Sequence, residues 1–130
     1  MTFANWCVLA ACLLPIATIG LAKVASARAD QRELRYNNRH PRAWTDRLQG
    51  WQQRANAAQQ NGWEALPLFI AAVVLAQQAH ADQSHIDMLA AAFIVCRILY
   101  IAAYLANQAT LRSLIWFAAG GCSVAILLLS

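Results

Sequence analysis

The chain has 130 residues, a net charge of +4, 60% hydrophobic residues and only 12% charged ones. A soluble globule of this size carries about 25% charged residues, so an ordinary buried core does not explain the deficit, and the length leaves room for one domain. The cations are also badly mixed, because seven arginines fall between Arg28 and Arg54. A basic stretch beside apolar runs is a membrane-topology signal rather than a nucleic-acid surface.

In chain order, the first apolar run is residues 6–25, followed by Lys23 near its end and then by the arginines. At 1.5 Å per residue, about 20 residues cross the hydrocarbon layer. Two Ala-x-Ala-like sites near residues 25–29 resemble signal-peptide cleavage sites. However, no basic residue precedes the run, which favours a retained span. Residues 26–62 form a polar connection rich in Arg and Gln, with Pro41 and Gly50 as breakers. The spacing of Arg28, Arg32 and Arg35 predicts that the first helix continues past the membrane. Asp46 to Gln60 has helical composition, and Gly62 is expected to interrupt it.

The second span is predicted at 64–79, with Pro67 in its first turn, where a missing N–H costs little. His80 to His85 forms a turn without Lys or Arg. The third span is 86–105 and holds Arg97; the fourth is 111–129, after a turn at Asn107 to Thr110. These elements predict an all-α integral membrane protomer of four helices. The positive-inside rule places the 26–62 loop in the cytoplasm and both termini outside. Cys7, Cys12, Cys96 and Cys122 all lie in apolar runs and read as packing residues. No metal site is expected, since His80, Asp82, His85 and Asp87 match no ligand spacing.

Ionisable groups inside spans are costly and usually functional. Asn61 and Glu64 stand at the mouth of the second span. Arg97, Tyr100 and Tyr104 follow at i, i+3 and i+7, one stripe of the third span. Arg112 and Ser113 open the fourth from the same side. No comparable cluster is expected at the outer face. Trp44, Trp51 and Trp63 read as interfacial aromatics. The bland alternatives are a helix-dipole carboxylate for Glu64, belt positions for the tyrosines, a topology anchor for Arg112 and a Glu64 ion pair for Arg97. Arginine forks hold carboxylates, a carboxylate takes an ammonium group, and cations with hydroxyls favour thiolate. Such a cluster suits a small zwitterion with several carboxylates, and a tripeptide thiol such as glutathione is compatible with it.

Asn38-Arg39-His40-Pro41-Arg42, Gly50-Trp51-Gln52-Gln53-Arg54-Ala55, and the run from Ala58 through Asn61-Gly62-Trp63-Glu64-Ala65-Leu66-Pro67 to Phe69 resemble the bacterial branch of the MAPEG family, the membrane-associated proteins in eicosanoid and glutathione metabolism. Arg97-x-x-Tyr100-x-x-x-Tyr104 and Leu111-Arg112-Ser113 resemble its third and fourth spans. The resemblance implies a homotrimer in the bacterial inner membrane, with glutathione as co-substrate between subunits near the cytoplasmic face. It implies ligand contacts from Asn61, Glu64, Tyr104, Arg112 and Ser113, with Arg97 and Tyr100 lining the same pocket. Arg112 and Ser113 would stabilise the thiolate. The partners implied are membrane lipid and a lipophilic small-molecule substrate, with no nucleic acid.

The sequence departs from characterised eukaryotic members at Gln60, where a basic ligand residue precedes the Asn, and at Trp116, where some have tyrosine. Arg54 or Arg28 is expected to replace the lost cation in space. The activity implied is that of a glutathione-dependent transferase or peroxidase on lipophilic electrophiles. The rivals are a non-catalytic membrane binding or structural protein and a small multidrug transporter. The transporter class needs a carboxylate in the first span, which is absent here.

Overall fold

The computed structural model describes all of residues 1–130 and contains no strand. Its α-helices are α1 (Phe3–Ala27), α2 (Pro41–Asp46), α3 (Gly50–Gln78), α4 (Gln83–Leu105) and α5 (Ala109–Leu128), with a 3-10 turn at Arg32–Leu34. Three of them, α1, α4 and α5, are long and apolar enough to cross a membrane. Together with the composition this makes the chain an integral membrane protein.

Packing follows residue size. The buried stripe of α1 is Ala4, Cys7, Ala11, Pro15, Thr18 and Ala22, while α3 offers Ala55, Ala58, Ala72 and Ala76. Small side chains let helix backbones approach closely, which drives association where lipid is as apolar as leucine. At Gly62 there is no room for a side chain, since an added Cβ would lie 2.8 Å from Pro15 Cγ. Phe69 of α3 stacks on Phe93 of α4 at 3.9 Å between centroids, filling the centre.

Gly62 therefore does not interrupt a helix. It lies inside the 29-residue α3, and its missing side chain admits α1. Pro67 consequently sits deep in α3 rather than in a first turn. The first helix ends at Ala27 and does not continue through Arg35, whose Nε instead donates to the Ala29 carbonyl at 3.0 Å. Both α3 and α4 end in left-handed residues, His80 at φ 58° and Asn107 at φ 59°. The Ala81 and Gln108 N–H groups return to the carbonyls of Ala76 and Ala103, closing two Schellman caps.

A second small core lies at the arginine-rich end. Trp44 of α2 is buried, and its Nε1 donates to Ser26 Oγ at 3.0 Å. Ser26 Oγ donates in turn to the Leu34 carbonyl at 2.6 Å. Trp44 is thus a core anchor for the connection and not an interfacial aromatic. Trp51 and Trp63 do remain exposed.

The opposite end is also more polar in contacts than expected. Gln77 Nε2 lies within hydrogen-bond reach of Thr2 Oγ1 (2.9 Å), Asn5 Oδ1 (3.0 Å) and Gln83 Oε1 (3.3 Å). Asp87 Oδ1 accepts from Gln83 Nε2 at 2.7 Å and from the Ala4 N–H at 2.8 Å. This network is mostly neutral amides and hydroxyls, a different kind of cluster from the ionisable one at the opposite end, and a search for ionisable residues does not reveal it.

Candidate functional site

Arg97 is the residue around which the site is built. It projects from α4 about 12 Å before the end of that helix, and only 4% of it is exposed. Its Nη1 donates to Asn61 Oδ1 of α3 at 2.9 Å, while its Nη2 has no partner. A buried guanidinium N–H without an acceptor is costly. Glu64 does not form an ion pair with Arg97, since no carboxylate lies within 4.0 Å of that guanidinium. Glu64 is exposed, one helical turn along from Asn61.

Asn61, Glu64 and Arg97 share one cavity of about 160 Å³ between α3, α4 and α5. Its remaining walls include Phe93, Trp116 and Ser123. Arg97 also borders a space of about 10 Å³ beneath Pro15, room for no more than about one water. Ligand-sized space therefore lies on the Glu64 side. A larger hollow of about 410 Å³ exists between the 3-10 turn and the start of α3, but it touches none of these residues.

From Arg97 a ladder of rings and guanidiniums runs toward the arginine-rich end. The Arg97 guanidinium lies 4.3 Å from the Tyr100 ring centroid, Tyr100 meets Tyr104 edge-on at 5.7 Å, and Arg112 of α5 lies 4.4 Å from Tyr104. The i, i+3, i+7 stripe thus forms as its spacing predicts. The cation–π contacts hold each arginine over a ring face. The two rings thereby support the arginines through their faces.

Ser113 is not brought in. It is exposed, and its hydroxyl donates to the Ala109 carbonyl of its own helix at 3.1 Å. Nor does Arg54 replace the missing cation near the cavity. Its Nε and Nη2 both donate to the Leu105 carbonyl, at 3.2 and 3.1 Å, capping the end of α4. Arg28 lies exposed just after α1 and does not line the cavity. The wall residue that sequence reasoning missed is Ser123, 1% exposed in α5. Its only signal was a hydroxyl within an apolar run.

The family model for the MAPEG family matches residues 3–130, essentially the whole chain. The chain is a member of the MAPEG family. No curated protein and no solved structure matches it. MAPEG proteins generally use glutathione, and the family includes glutathione transferases and peroxidases as well as non-catalytic members. That match takes in the first span, where the sequence motifs alone carried little.

Proposed function

We propose that this MAPEG protein is a glutathione-dependent transferase or peroxidase acting on lipophilic electrophiles. The observation that carries the reading is Arg97, buried with one N–H group on Asn61 and another without an acceptor beside a cavity that also holds the unpaired Glu64. A peptide carboxylate satisfies the guanidinium, and the peptide ammonium satisfies Glu64. Arg112 stabilises the thiolate at the mouth of the site, joined by Ser113 once its hydroxyl turns from the Ala109 carbonyl to the sulfur. The cavity of about 160 Å³ holds only part of a tripeptide in one protomer. A neighbouring subunit of a homotrimer completes it, which brings Tyr104, Arg112 and Ser113 to the ligand.

In this reading α3 carries the second span alongside α1, α4 and α5, the arginine-rich end faces the cytoplasm of a bacterial inner membrane, and both termini face outward. The polar thiol enters from the aqueous side, and the electrophile arrives through lipid. Glutathione conjugation of a small aryl halide by purified protein in detergent tests it. Arg112→Ala is expected to lower turnover at least tenfold; equal rates would remove Arg112 from the mechanism.

A second reading has its own support. The Ser113 hydroxyl is engaged by its own helix backbone, as a group without a catalytic role would be. On that reading the protein binds glutathione without turning it over. Calorimetric binding combined with no conjugation of any aryl halide distinguishes it.

A further inference from the structure

Lys23 is the only lysine of the chain, and it stands on α1 just before the first apolar run ends at Ala25. That is about 3 Å inside the edge of the hydrocarbon layer, so its long stem carries the ammonium out to the headgroup level. The ammonium is held there. Its Nζ donates to the Tyr36 hydroxyl at 3.3 Å and lies 4.4 Å from the Tyr36 ring centroid. The Tyr36 hydroxyl donates onward to Asn38 Oδ1 at 3.2 Å, which steadies the support.

Lys23 lines a cleft of about 150 Å³ that α1 shares with the arginine-rich connection, α2 and α3. Arg42 of α2 and Gln59 of α3 line it too, and Ile19, one turn before Lys23, forms its wall on the hydrocarbon side. No carboxylate borders the cleft, and none lies within 4.0 Å of Lys23 or Arg42. Two cations thus share one small space that no acid of the chain neutralises. Below them the surface turns apolar. Ile16, Ile19 and Lys23 fall at i, i+3 and i+7 on one stripe of α1, and Ile16 is 55% exposed.

We propose that this cleft binds the headgroup of an anionic phospholipid, with the phosphodiester between Lys23 and Arg42 and an acyl chain along Ile19 and Ile16. The order of groups along α1 matches the order of groups in a lipid: cations and an amide at the headgroup level, then aliphatic side chains in the hydrocarbon. A zwitterionic lipid fits poorly, because its ammonium meets two cations and no carboxylate. A soluble phosphate satisfies the cations but leaves the aliphatic stripe unused. Basic pockets at membrane edges take anionic headgroups on the same grounds. The cleft shares no residue with the Arg97 cavity, so lipid binding there is independent of the glutathione reading.

The test uses the purified full chain in detergent with no glutathione present. An amine-acetylating succinimidyl ester is added with either dioleoyl phosphatidylglycerol or dioleoyl phosphatidylethanolamine. Acetylation of Lys23 is read by peptide mass spectrometry against that of the N-terminal amine, which lies at the other end of α1 and corrects for general surface charge. Phosphatidylglycerol is expected to slow Lys23 relative to that amine about fivefold, and phosphatidylethanolamine to leave it unchanged. Native mass spectrometry of the same mixtures reads binding directly. Phosphatidylglycerol affinity is expected to fall about fivefold in Lys23→Gln and in Arg42→Gln. It is expected to hold in Arg32→Gln, which removes the same charge outside the cleft. Equal protection by the two lipids, equal protection by inorganic phosphate or by added glutathione, or an equal loss of affinity in Arg32→Gln overturns the proposal.

Discussion

Arg97 and Asn61 hold each other across two helices, with Nη1 of the arginine donating at 2.9 Å to the side-chain carbonyl of the asparagine. The contact joins α3 to α4 and fixes the plane of a guanidinium whose buried Nη2 has no acceptor. Asn61→Ala removes the acceptor and leaves a second buried N–H unpaired. Such a loss costs about 1–3 kcal/mol, so the variant is expected to melt earlier in detergent. Arg97→Lys is expected not to restore ligand binding, because a point-charge ammonium does not reproduce a planar fork.

Gly62 makes a second, steric test. A methyl group there would stand 2.8 Å from Pro15 Cγ, inside van der Waals contact. Alanine is a better helix former than glycine by about 1 kcal/mol, so an isolated helix would gain. Here overpacking of about 1–3 kcal/mol is expected to win, and Gly62→Ala should lower the melting temperature. The pair Gly62→Ala with Pro15→Ala is expected to recover most of the loss, because removing the ring clears the space.

At the other end, Asp87 receives the Ala4 N–H at 2.8 Å and so binds the first turn of α1 to α4. A carboxylate at a helix N-terminus is favourable both as an acceptor and against the helix dipole. Asp87→Ala is expected to destabilise the protein by about 1–2 kcal/mol, with amide exchange rising first at residues 4–6. Uniform exchange across α1 would contradict a local clasp.

Asp82 lies in the turn before α4, where its carboxylate accepts from the Ser84 hydroxyl at 2.6 Å and pairs with the His85 ring. Those hydrogen bonds, the Ser84 one foremost, hold its pKa below the ordinary aspartate value. A carboxyl depressed in the folded state stabilises above its unfolded pKa of about 3.9. That contribution fades as pH falls through the lower folded value. Ser84→Ala is expected to move the Asp82 titration upward, read by NMR of the carboxyl carbon.

The sequence spoke most clearly where chemistry was ionic or periodic. Arg97, Tyr100 and Tyr104 were legible as one stripe because helical spacing places i, i+3 and i+7 together, and Asn61 and Glu64 stood out as polar groups at the start of an apolar run. What was not legible depended on the partner helix. Gly62 read as a breaker because no sequence pattern reveals that Pro15 of α1 fills the space above it. Trp44 read as interfacial because its burial depends on Ser26 and Leu34 folding back over it. The Gln77–Asp87 network was invisible for a different reason: amides and hydroxyls in helix ends are common, and only their convergence distinguishes them. Ser113 went the other way. A motif position pointed to it, while its hydroxyl bonds to its own helix.

The most direct measurement is isothermal calorimetry of glutathione with the purified protein in detergent, comparing wild type with Arg97→Ala and Glu64→Gln. Saturable binding by the wild type is expected, weakened about 10- to 100-fold by each substitution, as loss of a charge-assisted contact implies. Absence of binding by a folded wild type, or unchanged affinity in both variants, would contradict a glutathione site built on Arg97, Asn61 and Glu64.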